Sequence, residues 1–333
     1  MGYVKVQSGN TSLGGTSIDV TIEAVNLTHA WVRMTSRVDA DAGSHDVSAV
    51  LIDSTTLRLM REASSGTVEI SWFVIEDSEA TVIRGQKTFS GLTDTVTISA
   101  VDLSKSFISI TNRSTGSPMN SGYVNASFTN NTTIRLERED STGDSIVEWQ
   151  VITISNATVQ AGLTTVTGTS ATPSISVVDL VSSFLILHRS SDGENLHRSH
   201  IQGRITTTTQ VALSRQDSTG QCTVGWFVVS CPRYRVQVAD SGNTSTQNVD
   251  TTIQSVDLTR SFLTTSWENS GPGTLNNNGR ARVRFLNDTT VRREKQATRQ
   301  NTWANTFAIE MEANVQNNLL IKRSGILKTL YLK

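Results

Sequence analysis

Eight residues, AVDLSKSF at Ala100 to Phe107, return as AVNLTHAW from Ala24, VVDLVSSF from Val177 and SVDLTRSF from Ser255, at intervals of 76, 77 and 78 residues. A stretch recurring at nearly constant period marks tandem copies of one structural unit and overrides a domain count taken from length alone. Two further blocks keep the same register. TTIRLERED at Thr132 is matched by TTLRLMREA at Thr55, TTVRREKQA at Thr289 and, more loosely, TQVALSRQD at Thr209. VEWQVI at Val147 is matched by ISWFVI at Ile70 and VGWFVV at Val224, and in the fourth copy by TFAIEM at Thr306, where Phe307 is taken to stand for Trp72, Trp149 and Trp226. The 333 residues therefore divide into four units, 1–79, 80–156, 157–232 and 233–313, followed by a tail, 314–333, that has no counterpart.

Within a unit the hydrophobic period is that of strands. In the second copy Val96, Ile98 and Ala100 alternate with Thr97 and Ser99, and Val124, Ala126 and Phe128 alternate further on. Period-two alternation with Ser- and Thr-rich joints and only four prolines predicts half-buried strands, not helices. The recurring eight residues interrupt the alternation. Asp102 is suited to an Asx turn, with Leu103 and Phe107 closing the end of the core, so the stretch reads as a corner. DSTGD and its relative QDSTGQ supply the residues of a tight reversal. About six strands per unit result, and the fold class is all-β: four tandem small antiparallel β-sandwich domains and a short C-terminal hairpin-like tail. On the closing strand Ile152 and Ile154 are apolar on the face opposite Trp149, so packing between units is expected to cover it. Short linkers such as EDSEAT predict a stiff row of four domains. The tail, with LLIK and ILKTLYLK flanking RSG, is expected to dock on a neighbouring chain or partner.

Charge is uneven. Residues 1–80 carry five Lys or Arg against eleven Asp or Glu, whereas residues 280–333 carry eleven against four. One reading is a polar orientation with the basic end facing an acidic partner; the other is drift of surface charge between copies. Cys222 and Cys231 lie nine residues apart along one expected strand, about 30 Å, beyond disulfide reach, and read as free thiols. The start MGYVKVQSGN has no apolar signal core and no run approaches a membrane span, so a soluble chain without membrane insertion or a cleaved leader is expected.

The polar positions that recur are the corner residue (Asn26, Asp102, Asp179, Asp257) and the strand-end base (Arg61, Arg138, Arg215, Lys295). Asn26 would disable an acid but preserve a turn cap, so the corner is read as structural, and the bases as snorkelling side chains at the sandwich rim. His188, His197 and His200 sit in or beside the variable loop of the third unit and are the candidates for a metal. Arg280, Arg282 and Arg284 alternate with Ala281, Val283 and Phe285, which puts three guanidinium groups on the outer face of one strand, with Arg292 close by. Such a patch fits a carboxylate, a phosphate or an acidic protein surface, or is simply solvated. Nucleic acid is not expected, because no aromatic platform accompanies the arginines. No nucleotide-binding loop, nucleophile elbow, zinc motif or acid pair recurs, so neither catalysis nor a cofactor is expected. Between the two halves of each unit lies the most variable segment: VDADAGSHD, STGSPMNSG, SSDGENLHRS and ENSGPGTLNNNG. Variable loops on a repeated scaffold are the usual place for recognition.

A strand ending in VDLSKSF, a later TTIRLERED strand and a closing VEWQVI resemble small β modules of tailed-bacteriophage virion surface proteins, the fibres and decoration proteins. In strand order the unit is also similar to H-type lectin domains. The first resemblance implies a non-enzymatic virion protein assembled in the host cytoplasm, contacting other virion proteins and forming a homo-oligomer, with a trimer favoured. The second implies a multivalent carbohydrate-binding protein of bacterial origin, or host glycans as partners of the variable loops.

Overall fold

In the computed structural model the described part of the chain is built from antiparallel strands. The structure describes residues 2–38, 46–116, 122–192, 199–269, 280–296, 301–312, 320–323 and 326–329, the last two as backbone. The first unit comprises β1 (Val4–Leu13), β2 (Ser17–Thr21), β3 (Ala30–Val38), β4 (Ser48–Asp53), β5 (Thr56–Met60) and β6 (Val68–Asp77). The second comprises β7 (Ala80–Phe89), β8 (Thr93–Thr97), β9 (Ser106–Ser114), β10 (Asn125–Asn130), β11 (Thr133–Glu137) and β12 (Ser145–Ile154). The third comprises β13 (Thr158–Val166), β14 (Ser170–Ala171), β15 (Ser183–Ser191), β16 (Gln202–Thr207), β17 (Gln210–Ser214) and β18 (Cys222–Ser230). The fourth comprises β19 (Tyr234–Asp240), β20 (Asn248–Thr252), β21 (Ser261–Asn269), β22 (Arg282–Asn287), β23 (Thr290–Glu294) and β24 (Thr302–Met311). In the tail β25 (Leu320–Arg323) pairs with β26 (Ile326–Thr329) as the expected hairpin.

Each unit is two three-stranded sheets. The inner sheet has the order β1-β6-β3 and the outer sheet β2-β5-β4, and the other three units repeat this pairing. The closing strand is central in the inner sheet and buried on both faces. On β6, Ile70, Trp72 and Val74 belong to the core of their own sandwich. Phe73 and Ile75, on the opposite face, join a second core that runs through the other units. Packing between units therefore supplies the cover that the closing strand lacks.

Strand register corrects one sequence alignment. Met34 lies opposite Trp72, Ile110 opposite Trp149 and Leu187 opposite Trp226, and the fourth unit places Thr265 opposite Thr306. Thr306, not Phe307, thus holds the tryptophan position. A glycine faces each tryptophan on the first strand of its unit: Gly9, Gly85 and Gly162. A Cβ at Gly85 would stand 2.5 Å from Trp149 Cζ2, so the indole needs the missing side chain. Where Thr306 replaces the indole, Ala239 replaces the glycine. Size is exchanged across the pair, as close packing demands.

The strand-end bases are interior, not snorkelling. Arg61, Arg138 and Arg215 are each 2% exposed and Lys295 0%. Arg138 donates from Nε to the Gly91 carbonyl at 2.9 Å and from Nη2 to Ser90 and Gly143 at 2.7 Å each. Arg61 binds Gly14, Gly15, Ser65 and Gly66 in the same way, and Arg215 binds Gly168 and Gly220. One guanidinium thus satisfies carbonyls of two turns that strand pairing cannot reach. Gly66, Gly143 and Gly220 take positive φ (65°, 68°, 69°), and the last two are the tight reversals read from DSTGD and QDSTGQ.

The corner is an Asx turn in every unit. The side-chain oxygen of Asn26, Asp102, Asp179 or Asp257 accepts the N–H two residues on, at 3.0, 2.9, 3.1 and 2.9 Å. Asn26 performs the role as well as the aspartates. Leu103 does not close the core, since it is 40% exposed. The corner instead joins units. The carbonyls of Thr28, Ser104 and Val181 accept the N–H groups of Val82, Val159 and Val236 in the following unit, and that of Thr259 in the fourth unit accepts Val6 in the first.

That last bond shows that the units form a closed ring and not a row. Hydroxyls repeat the pattern. Thr111 bridges the N–H and carbonyl of Ala49, Ser266 those of Gly203, and Thr35 those of Val283, with N···O distances of 2.9 Å in each case. At the remaining seam His188 stands in the hydroxyl position and donates from Nε2 to the Ile108 carbonyl at 2.9 Å. Phe128 packs on Phe227 and Phe285 on Phe73, edge to face at 6.0 and 6.1 Å. One head-to-tail contact, applied four times, closes on itself.

Candidate functional site

The edge strands β3, β9, β15 and β21 converge at the middle of the ring and bring equivalent positions together in layers. Nearest the corners lie Trp31, Phe107, Phe184 and Phe262, each 1% exposed. Trp31 meets Phe262, Phe262 meets Phe184, and Phe184 meets Phe107, all edge to face at 6.0–6.3 Å. The next layer holds Arg33, Ser109, Ile186 and Thr264. Arg33 donates to Ser109 Oγ at 3.1 Å and to Thr264 Oγ1 at 2.9 Å, and burial pulls its guanidinium down to about 10.

At the opposite end, toward the variable loops, the axis opens into a cavity of about 180 Å³. Two quartets of equivalent positions line it. Ser36, Asn112, Arg189 and Trp267 come from the ends of the four edge strands, and Asp46, Tyr123, His200 and Arg280 from the residues that lead into the next strands. All four units contribute, and no two residues of a quartet are alike. Arg189 lies over the Tyr123 ring at 4.6 Å, while the imidazole of His200 meets Tyr123 at 5.9 Å and Trp267 at 5.5 Å. Arg280 pairs with Asp46 at 2.5 Å. His188 also reaches the cavity, and burial lowers its pKa to about 4, so it is neutral at physiological pH.

Of the residues singled out in the sequence, Arg280 and Arg282 do not lie on an outer face. They are 8% and 6% exposed. Arg282 bonds Glu294 of its own unit and Glu69 of the first at 3.2 Å, and Arg284 bonds Glu294 at 2.9 Å. Arg292 forms a two-pronged pair with Asp250 at the surface. Through Asp46 and Glu69, the basic end of the chain meets its acidic end, so ring closure places the two charge excesses against each other. Of the three histidines, His188 and His200 line the axial cavity and His197 lies outside the described residues. Among the described residues no group of three or more His, Cys, Asp or Glu is placed to hold a metal. Cys222 and Cys231 are buried free thiols, and burial raises both pKa values, that of Cys222 to about 12.

The axial quartets were not found from the sequence. A signal was nevertheless there. The eight positions flank the variable segments, and they are polar or aromatic where neighbouring positions in the alignment are uniformly apolar, as at Val47, Val124, Ile201 and Ala281. Only knowledge of ring closure shows that they face one another.

No family model matches the chain, and no curated protein matches it. A chain from the atomic structure of Sulfolobus turreted icosahedral virus is similar at 12% identity over 64% of this chain and 81% of that one, with a TM-score of 0.17. A chain from an archaeal virus, described for its triple jelly roll fold and turret assembly, is similar at 12% identity over 68% and 88%, with a TM-score of 0.14. At such scores neither likeness bears on fold or function.

Proposed function

We propose that the chain is a non-enzymatic structural protein of a virion, a fibre- or decoration-type appendage of a tailed phage that displays its variable loops. The observation that carries this reading is the polarity of the ring. Asn269 pairs with Thr302 and Ser261 with Glu310, so β24 runs from the loop end toward the corner end, where the chain passes into its tail. The same end exposes Leu103, Leu180, Val181 and Leu258. One end is thus suited to attachment through apolar surface and the tail, and the other to display. Recurrent polar side chains support a scaffold role, because among the described residues they bind turn carbonyls, cap corners or bridge seams.

The partners in this proposal are other virion proteins, and the oligomer is a trimer, as fibre-type assembly implies. Host-surface glycans are the proposed targets of the loops. The alternative, a multivalent lectin with one sugar site per unit, finds less support, since the described positions beside the loops differ in every copy. Mass spectrometry and antibody labelling of purified particles test the proposal. The protein is expected in the particle, and removal of residues 313–333 is expected to release it. A chain absent from particles, or one whose incorporation ignores the tail, overturns the reading, and binding on a glycan array by each isolated loop face would favour the lectin.

A further inference from the structure

We propose that the axial cavity at the loop end of the ring binds a small oxyanion, a carboxylate, sulfate or phosphate group, held chiefly by Arg189 and Trp267. Two side chains that line the cavity carry donors that the protein leaves unused. Arg189 Nε and Trp267 Nε1 are both buried without a hydrogen-bond partner. Burying such a group unpaired opposes folding, and an acceptor within the cavity relieves that opposition. Both are N–H groups, which only donate, so their complement is an acceptor; the Tyr123 hydroxyl on the same wall is also unpaired and can donate to that acceptor.

Charge agrees with this sign. Among the described residues Arg189 has no carboxylate partner, and its other contact is the face of Tyr123 at 4.6 Å. Stacking on an aromatic face leaves the in-plane N–H edges of a guanidinium free for two-pronged contact with an oxyanion. Among the described residues the wall holds one carboxylate, Asp46, and it is already paired with Arg280. The described residues of the wall therefore carry one uncompensated positive charge, in a recess walled by two aromatic rings where water screens it poorly. A cation finds no free carboxylate among the described residues there, and an apolar ligand would leave the orphan donors still unpaired.

The scaffold does not need Arg189. Its equivalents are Ser36, Asn112 and Trp267, and the bonds that hold the seams come from the neighbouring position, Thr35, Thr111 and Ser266. A volume of about 180 Å³ accommodates an inorganic anion or one sugar acid, not a polymer segment.

The test is calorimetric and fluorimetric titration of the full chain at low ionic strength with three separate probes: sodium sulfate, inorganic phosphate and glucuronate. Saturable binding with Kd of about 1 mM or tighter is expected for at least one probe. R189Q is expected to weaken it at least tenfold and R189K to weaken it less, while both keep the wild-type melting temperature. W267F is expected to weaken it severalfold through loss of the indole donor. Saturation by glucuronate points to a sugar acid as the natural ligand, and saturation by sulfate or phosphate alone points to an ester or free anion. No saturation by any probe, or unchanged binding in folded R189Q, overturns the proposal. If R189Q does not fold, unchanged binding in both R189K and W267F overturns it instead.

Discussion

A circular permutant distinguishes a closed ring of four units from an open row. In the first connection, neighbouring carbonyls of one corner hold both ends: His29 O accepts the N–H of Asp77 and Thr28 O that of Val82. Ring closure repeats this, with Arg260 O accepting Met311 and Thr259 O accepting Val6. Two residues, Ser78 and Glu79, link β6 to β7. Joining Glu312 directly to Tyr3 would link β24 to β1 by two residues as well. Three Cα–Cα steps reach at most about 11 Å. In an open row, units about 20 Å thick would separate those ends by roughly 60 Å, which no such joint could span. A permutant that starts at Glu79, ends at Ser78 and omits residues 313–333 exchanges one short connection for another, and doubling a loop costs only about 0.6 kcal/mol. Its urea-unfolding free energy is expected within about 1–2 kcal/mol of a chain ending at Glu312, with the same elution volume. If the permutant is unfolded or aggregated while the truncated chain folds, the closed ring is refuted.

Two further outcomes follow from the packing. G85A should destabilise the second unit by about 1–3 kcal/mol, because its Cβ would press on Trp149, and W149A alone by about 3–5 kcal/mol. The double variant should cost less than the two together by about 1–2 kcal/mol, read from urea melts, and additivity within about 0.5 kcal/mol would contradict the contact. His188 has a folded pKa near 4, below its ordinary 6.5, so the unfolded chain binds the extra proton between those values. Stability should therefore fall by up to about 3 kcal/mol as pH drops from 6.5 to 4, while H188T, which restores the hydroxyl found at the other seams, should flatten this part of the pH profile.

Much of the unit was legible because its causes are local. Alternation fixes strands, Asp or Asn two residues before a free N–H fixes the corner, and glycine in DSTGD fixes a reversal. Thr306 was missed because an aromatic residue next door, Phe307, imitates the motif, and only cross-strand pairing shows which face each residue takes. Arg61, Arg138 and Arg215 look like rim residues because a strand-end arginine usually meets water. Their burial depends on two turns, far apart in sequence, turning carbonyls toward one point. The arginine patch was misplaced for a related reason. Alternation puts Arg280 and Arg282 on the face away from the core of their own sandwich, but in a ring that face is covered by the first unit.

By itself, the sequence determined that this is an all-β chain of four repeated antiparallel sandwiches, because period, alternation and turn chemistry act over a few residues and recur in every copy. Closure of the copies into a ring, the clasp of the acidic first unit on the basic fourth, and the meeting of two quartets of unlike residues at one cavity came from the tertiary structure alone. Closure depends on the angle at which each unit meets the next, a small rotation set by packing across the seams and summed four times. No local pattern of residues records that sum.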